Sequence, residues 1–299
     1  MKSSYRIGSI WGIPLKIHIS LFLLLAYISL RAFVIGLQEY GLWHAIMIVL
    51  AVVSLQICLF ASIGLHELGH SFVAIRKGCK VREITLLIIG GAAVMESIPR
   101  RPKDEFSMAI AGPAVSATLA ILFGLLAYRY PPDAEDMRAW LGVLFYYTAL
   151  GNGLLAIFNL LPAYPMDGGR ITRALLTPRL GRLRATRIAM LTGRGFAIAI
   201  GAIGLMGLPP WIPRFYIPLL LIAGFVYIMG NREYRQIQLE TLLEQRGFKT
   251  MPEYEQQGRF QEMPPDDETV LISPPPYRQG PSDHAHIEKE PHNRFSFFR

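Results

Sequence analysis

The chain has 299 residues, of which 52% are hydrophobic and 17% charged, and its mean hydropathy is positive. A soluble domain carries about 25% charged residues, so an ordinary water-soluble enzyme is excluded and a membrane protein is indicated. The net charge of +8 lies between apolar runs, not in one patch interleaved with aromatics; it reads as topology signals facing the lipid bilayer, with no nucleic-acid partner.

Six apolar runs approach the roughly 20 residues a membrane helix needs. They cover about 17–37, 44–75, 106–128, 139–161, 188–208 and 212–230. No small-residue cleavage site follows the first, which is expected to remain as an anchor. The second is long enough to tilt or to reach past the lipid. Between the second and third, "REITLLIIGGAAVMES" has two β-prone halves around Gly90-Gly91 and predicts a hairpin. That hairpin could lie at the membrane or serve packing alone. The fifth run contains Arg194, for which the sequence offers no partner, and the sixth contains Pro213, Arg214 and Pro218.

Residues 231–248 predict an exposed helix, and 249–299 a disordered proline-rich tail in which His284, His286 and His292 read as solvated. Basic residues gather before the first run, after the second (Arg76, Lys77, Lys80, Arg82, Arg100, Arg101, Lys103) and after the fourth (Arg170, Arg173, Arg179, Arg182, Arg184, Arg187). The alternate loops are poor in them, so both termini are expected in the cytoplasm, with the cell membrane as the site. Cys58 and Cys79, one in an apolar run and one in a basic loop, do not suggest a disulfide. The expected fold is an all-α polytopic membrane protein, with about six transmembrane helices and a small membrane-associated β-hairpin between the second and third. The expected division is a membrane domain at 1–230, the helix at 231–248 and the tail at 249–299.

The chemistry gathers at the end of the second run. His66-Glu67-Leu68-Gly69-His70 is an H-E-x-x-H array. On a helix, positions four apart share a face, so both imidazoles can reach one metal ion while Glu67 addresses a water as general base. Ionisable residues in a membrane helix are costly and usually functional. A packed pair of hydrogen-bonded histidines is the plainer reading, but the spacing and the carboxylate between them favour a metal. Catalytic zinc usually takes three protein ligands. The candidate for the third is Asp167 in "FNLLPAYPMDGGR", the sole acidic residue between Asp136 and Glu233. Pro162 and Pro165 break regular helix before it, and Gly168-Gly169 are expected to let the chain turn after it. The second and fourth runs cross in the same direction, so both motifs arrive near the cytoplasmic face.

With these residues in place, the sequence resembles the site-2 protease family of intramembrane zinc metalloproteases. The resemblance rests on His66-Glu67-Leu68-Gly69-His70 and on Asn159-Leu160-Leu161-Pro162 running on to Asp167-Gly168-Gly169, with "AGPAVSA" at 111–117 similar to a glycine-proline segment of the family. It covers about residues 5–230. It implies one zinc ion held by His66, His70 and Asp167, Glu67 as the activator of water, and Asn159 near the substrate carbonyl or its oxyanion, with Asn152 a weaker alternative. The implied partner is a transmembrane protein substrate. No insertion is large enough for the peptide-binding module many members carry. The rival classes are a divalent metal-ion transporter, for which related halves with paired broken helices would be expected, and an inactive membrane chaperone.

Overall fold

The computed structural model describes residues 4–87, 90–95, 99–131, 138–207 and 215–246; the expected tail at 249–299 lies outside them. Two strands, β1 (Ser4–Ile10) and β2 (Ile13–His18), lead into helix α1 (Ile19–Tyr40). Helix α2 (Leu42–Arg76) follows, then strands β3 (Val81–Leu87) and β4 (Gly90–Met95). Helices α3 (Pro102–Arg129), α4 (Arg138–Leu160), α5 (Asp167–Leu180), α6 (Arg182–Met206) and α7 (Ile217–Gln245) complete the chain. Among the described residues, five helices are long and apolar enough to cross a membrane: α1, α2, α3, α6 and residues 139–160 of α4.

The sixth expected run opens α7. There the apolar stretch from Ile217 to Gly230 continues without a break into polar Asn231–Gln245, so the separate helix expected at 231–248 is the second half of α7. Arg194 finds its partner here: its Nε donates to Asn231 Oδ1 at 3.0 Å, and its guanidinium lies 5.4 Å from the Tyr227 ring centroid. The hairpin expected from β3 and β4 is present but belongs to a four-stranded sheet of order β1-β2-β3-β4. Only β2 and β3 are parallel. The register pairs Leu87 with Gly90, so Gly90-Gly91 open β4 and do not form the turn.

Local chemistry explains where these elements stop. Trp11 and Gly12 both have positive φ, which gives the two-residue reversal between β1 and β2 its matching twist. His18 caps α1, its Nδ1 accepting from Ser20 N at 3.2 Å. Gly41 at φ 80° separates α1 from α2. A Cβ on Gly36 would lie 2.9 Å from Ala45 Cα, so the missing side chain sets how closely α1 and α2 approach. Pro102 starts α3, with Asp104 and Glu105 in its first, electropositive turn. The sheet rests on α2 through Ile13, Leu68 and Ile84, which brings β4 beside the H-E-x-x-H turn. Cys58 and Cys79 are both free.

Candidate metal centre

His66 and His70 project from one face of α2 near its C-terminal end and are 3% and 6% exposed. Asp167 comes from elsewhere in the chain. Helix α4 ends at Leu160, the proline-bearing segment 161–166 reverses direction, and Asp167 is the first residue of α5. Its Oδ2 lies 3.2 Å from His66 Nε2 and 3.0 Å from His70 Nε2, and the two Nε2 atoms are 3.2 Å apart.

The chemistry of these contacts indicates a cation. His70 Nδ1 lies 2.8 Å from the Met108 carbonyl oxygen. A carbonyl can only accept, so Nδ1 carries a proton, and Nε2 is the nitrogen turned toward Asp167. His66 Nδ1 lies 2.8 Å from Ser116 Oγ, a hydrogen bond that holds that ring with its Nε2 toward Asp167. Burial favours a protonated Asp167 carboxyl, but the two imidazoles outweigh it and hold its pKa well below the usual carboxylate range. An anionic oxygen and two ring nitrogens therefore face one point, where positive charge, as a proton on an imidazole or as a metal ion, stabilises the arrangement. The 3.0–3.2 Å separations approach the ~3.3 Å edge of a tetrahedron with zinc–ligand bonds of about 2.0–2.1 Å. These three residues are the one group able to hold a metal ion among the described residues.

Helix α3 builds the opposite wall. Met108, Gly112 and Ser116 recur every four residues and so share one face. The outer two anchor the rings, and the middle one makes room for them. A Cβ on Gly112 would overlap His70 Nε2 and lie 2.5 Å from His70 Cε1 and 2.7 Å from His66 Nε2. A Cβ on Gly69 would meet Val115 Cγ2 at 2.9 Å, so α2 and α3 are close-packed at this level.

Glu67 is half-buried and faces the sheet. A Cβ on Gly91 would fall 2.5 Å from its Cγ and 3.0 Å from its Oε1, so β4 can pass beside this carboxylate because residue 91 has no side chain. Gly168 and Gly169 do not turn the chain, as expected from sequence, but form the first turn of α5. A Cβ on Gly168 would overlap the carbonyls of Leu160 and Leu161, and one on Gly169 would lie 2.8 Å from Ala163 C. The glycine pair thus docks α5 backbone-to-backbone on the segment that delivers Asp167.

Asn159 stands in the last turn of α4, half-buried, its Nδ2 donating to Leu155 O at 3.0 Å; it is not part of the His–His–Asp cluster. Asn152 is buried and donates to Ser62 Oγ and Thr148 O at 3.0 and 2.9 Å, tying α4 to α2 one turn before His66. Deeper along α5, buried Arg173 donates to Glu105 of α3 at 2.7 Å and to Glu233 of α7 at 2.9 Å. Three helices are thereby joined below the cluster. Sequence reasoning singled out the segments that hold Gly91, Gly112 and Ser116 but not the part these residues play, and it gave Met108 and Arg173 no role at the site. The four-residue spacing of Gly112 and Ser116 in "MAIAGPAVS" was the available signal for the α3 wall.

The chain matches the family model of peptidase family M50 over residues 54–132 and 130–200. It is 36% identical over 244 residues to a zinc metalloprotease of Methanocaldococcus jannaschii, covering 81% of this chain and 64% of that protein. It is 30% identical over 196 residues to stage IV sporulation protein FB of Bacillus subtilis, covering 63% of this chain and 62% of that protein. The chain therefore spans less than two thirds of the length of these curated relatives. Among solved structures, the site-2 protease from Methanocaldococcus jannaschii is similar at 35% identity with a TM-score of 0.54, covering 77% of this chain and 95% of that chain.

Proposed function

This chain belongs to the site-2 protease family of M50 peptidases, and from that premise we propose that it is an intramembrane zinc metalloprotease. Its reaction is hydrolysis of peptide bonds in transmembrane substrate proteins near the cytoplasmic membrane face. The observation that carries this reading is the convergence of His66, His70 and Asp167 on one point beside Glu67.

One zinc ion per chain would be held by His66 Nε2, His70 Nε2 and Asp167 Oδ2. Bound there, zinc supplies a Lewis acid that polarises the scissile carbonyl and acidifies a water. The chain's residues do the rest. Met108 and Ser116 fix the two rings through Nδ1, so the ligand set is oriented before substrate arrives. Glu67 takes a proton from the attacking water and passes it to the leaving amine. Asn159 uses one amide hydrogen on Leu155 O and keeps the other for the developing oxyanion. Because helical carbonyls are shielded, the substrate must unwind locally. The edge of the sheet at β4 then offers backbone partners for an extended segment, and the close approach of Gly91 to Glu67 sets that edge beside the carboxylate.

The basic loops support cytoplasmic termini and residence in the cell membrane. Residues 1–230 are the protease domain in this reading, and the polar half of α7, Asn231–Gln245, is its cytosolic helical extension. No observation favours the metal-transporter alternative.

The test is co-expression with a tagged membrane substrate. Glu67→Gln should abolish cleavage while zinc content stays at the wild-type level, whereas undiminished cleavage by this variant rejects the mechanism.

A further inference from the structure

Away from the metal centre, a polar cavity of about 320 Å³ opens where the 161–166 segment meets α5 and α7. Tyr164, Arg170, Met229, Arg232, Glu233 and Gln236 line it. Arg170 is half-buried and Arg232 exposed, and neither has an ion-pair partner among the described residues. The carboxylate in the wall is already engaged, since Glu233 Oε1 accepts from Arg173 Nη1 at 2.9 Å. The phenol oxygen of Tyr164 has no hydrogen-bond partner, although the residue is only 1% exposed. That oxygen is out of reach of water, so Tyr164 shapes the wall and the arginines supply the donors. Two guanidinium groups without ion-pair partners at one cavity suit phosphate oxygens, since each presents a planar fork of N–H donors.

We propose that this cavity binds a phosphate group, with Arg170 and Arg232 as the guanidinium pair. The cavity lies where α7 passes from apolar Ile217–Gly230 to polar Asn231–Gln245, with Met229 on the apolar side. A phospholipid headgroup has this same division, a phosphate above an apolar body. Tyr164 stands three residues before Asp167 and Arg170 three after it. An occupant therefore braces the segment that carries the third carboxylate of the metal centre.

The test uses the purified full chain, delipidated in neutral detergent. Short-chain phosphatidylglycerol and phosphate-free diacylglycerol are compared by native mass spectrometry, and inorganic phosphate is titrated by calorimetry. Phosphatidylglycerol should be retained and diacylglycerol should not. Arg232→Ala, on an exposed helix face, should weaken retention about tenfold, the loss of one charge-assisted contact. Arg235→Ala, which removes an exposed arginine of α7 outside the cavity, should change nothing. If inorganic phosphate binds with the same Arg232 dependence while phosphatidylglycerol does not, the site stands and its source is a soluble phosphate. Failure of both phosphate compounds to bind, or equal weakening by Arg232→Ala and Arg235→Ala, overturns the proposal.

Discussion

Replacing Gly112 by alanine adds a single methyl group to the wall of the metal centre. Its Cβ would sit 2.5 Å from His70 Cε1 and 2.7 Å from His66 Nε2. Carbon atoms in favourable contact are about 3.5 Å apart, so the His70 ring or α3 must yield by roughly 1 Å. The ring has little freedom to do so, because Nδ1 is bound to the Met108 carbonyl on that same helix. Metal–ligand distances hold to within about 0.2 Å, and a displacement several times larger dislodges at least one imidazole. Zinc affinity should therefore fall by about 100-fold, the upper end for disturbed ligand support. The assay is chelator competition followed by elemental analysis, with circular dichroism as a check on folding. Gly124→Ala is the matched control, since nothing lies within 4 Å of a Cβ at that position of α3. Wild-type zinc affinity in Gly112→Ala would refute the idea that this missing side chain makes room for the centre.

The same steric logic at Gly91 has a different outcome. Gly91→Ala should push Glu67 aside by about 1 Å and lower kcat on the order of 100-fold with zinc content unchanged, so loss of zinc would show that the sheet supports the metal instead. Chelation should abolish cleavage and lower the melting temperature by several degrees, both restored by added zinc, because an ion bound only by the folded chain stabilises it. Activity insensitive to complete zinc removal would exclude a metal mechanism. Arg173→Met leaves buried Glu105 without its cation, which should cost about 3–5 kcal/mol in an unfolding titration. Arg173→Lys should recover only part, since one ammonium cannot span Glu105 and Glu233 as the guanidinium does; equal stability of all three proteins would mean the ion cluster contributes nothing.

What the sequence disclosed follows from which signals are local. The H-E-x-x-H spacing carries its own geometry, and an isolated aspartate in a proline-bearing break stands out among apolar residues. The span α2 was legible for the same reason, as one unbroken apolar run. Helix α5 was not, because Gly168, Gly169 and Pro178 are poor helix formers; backbone docking on Leu160 and Leu161 outweighs that propensity. Strands β1 and β2 were hidden because they run directly into the first apolar helix, which absorbed residues 17 and 18. The role of "AGPAVSA" depended on which helix crosses it, and only the tertiary structure shows that Gly112 faces His66 and His70. Arg194 looked unsupported because its partner, Asn231, lies on α7 beyond a turn of the chain.

The metal centre joins residues far apart in the chain: Asp167 is separated from His66 by 101 positions and from His70 by 97. A nascent polypeptide that has emerged only as far as α3 carries both imidazoles and Glu67 but no third ligand. On the proposed function, proteolytic competence would be withheld during synthesis until α4 has inserted and α5 has brought Asp167 to the two imidazoles. Under the zinc reading, the ion works as a late cross-link between the early and late parts of the polypeptide, and a truncated product stalled in the bilayer is harmless to its neighbours.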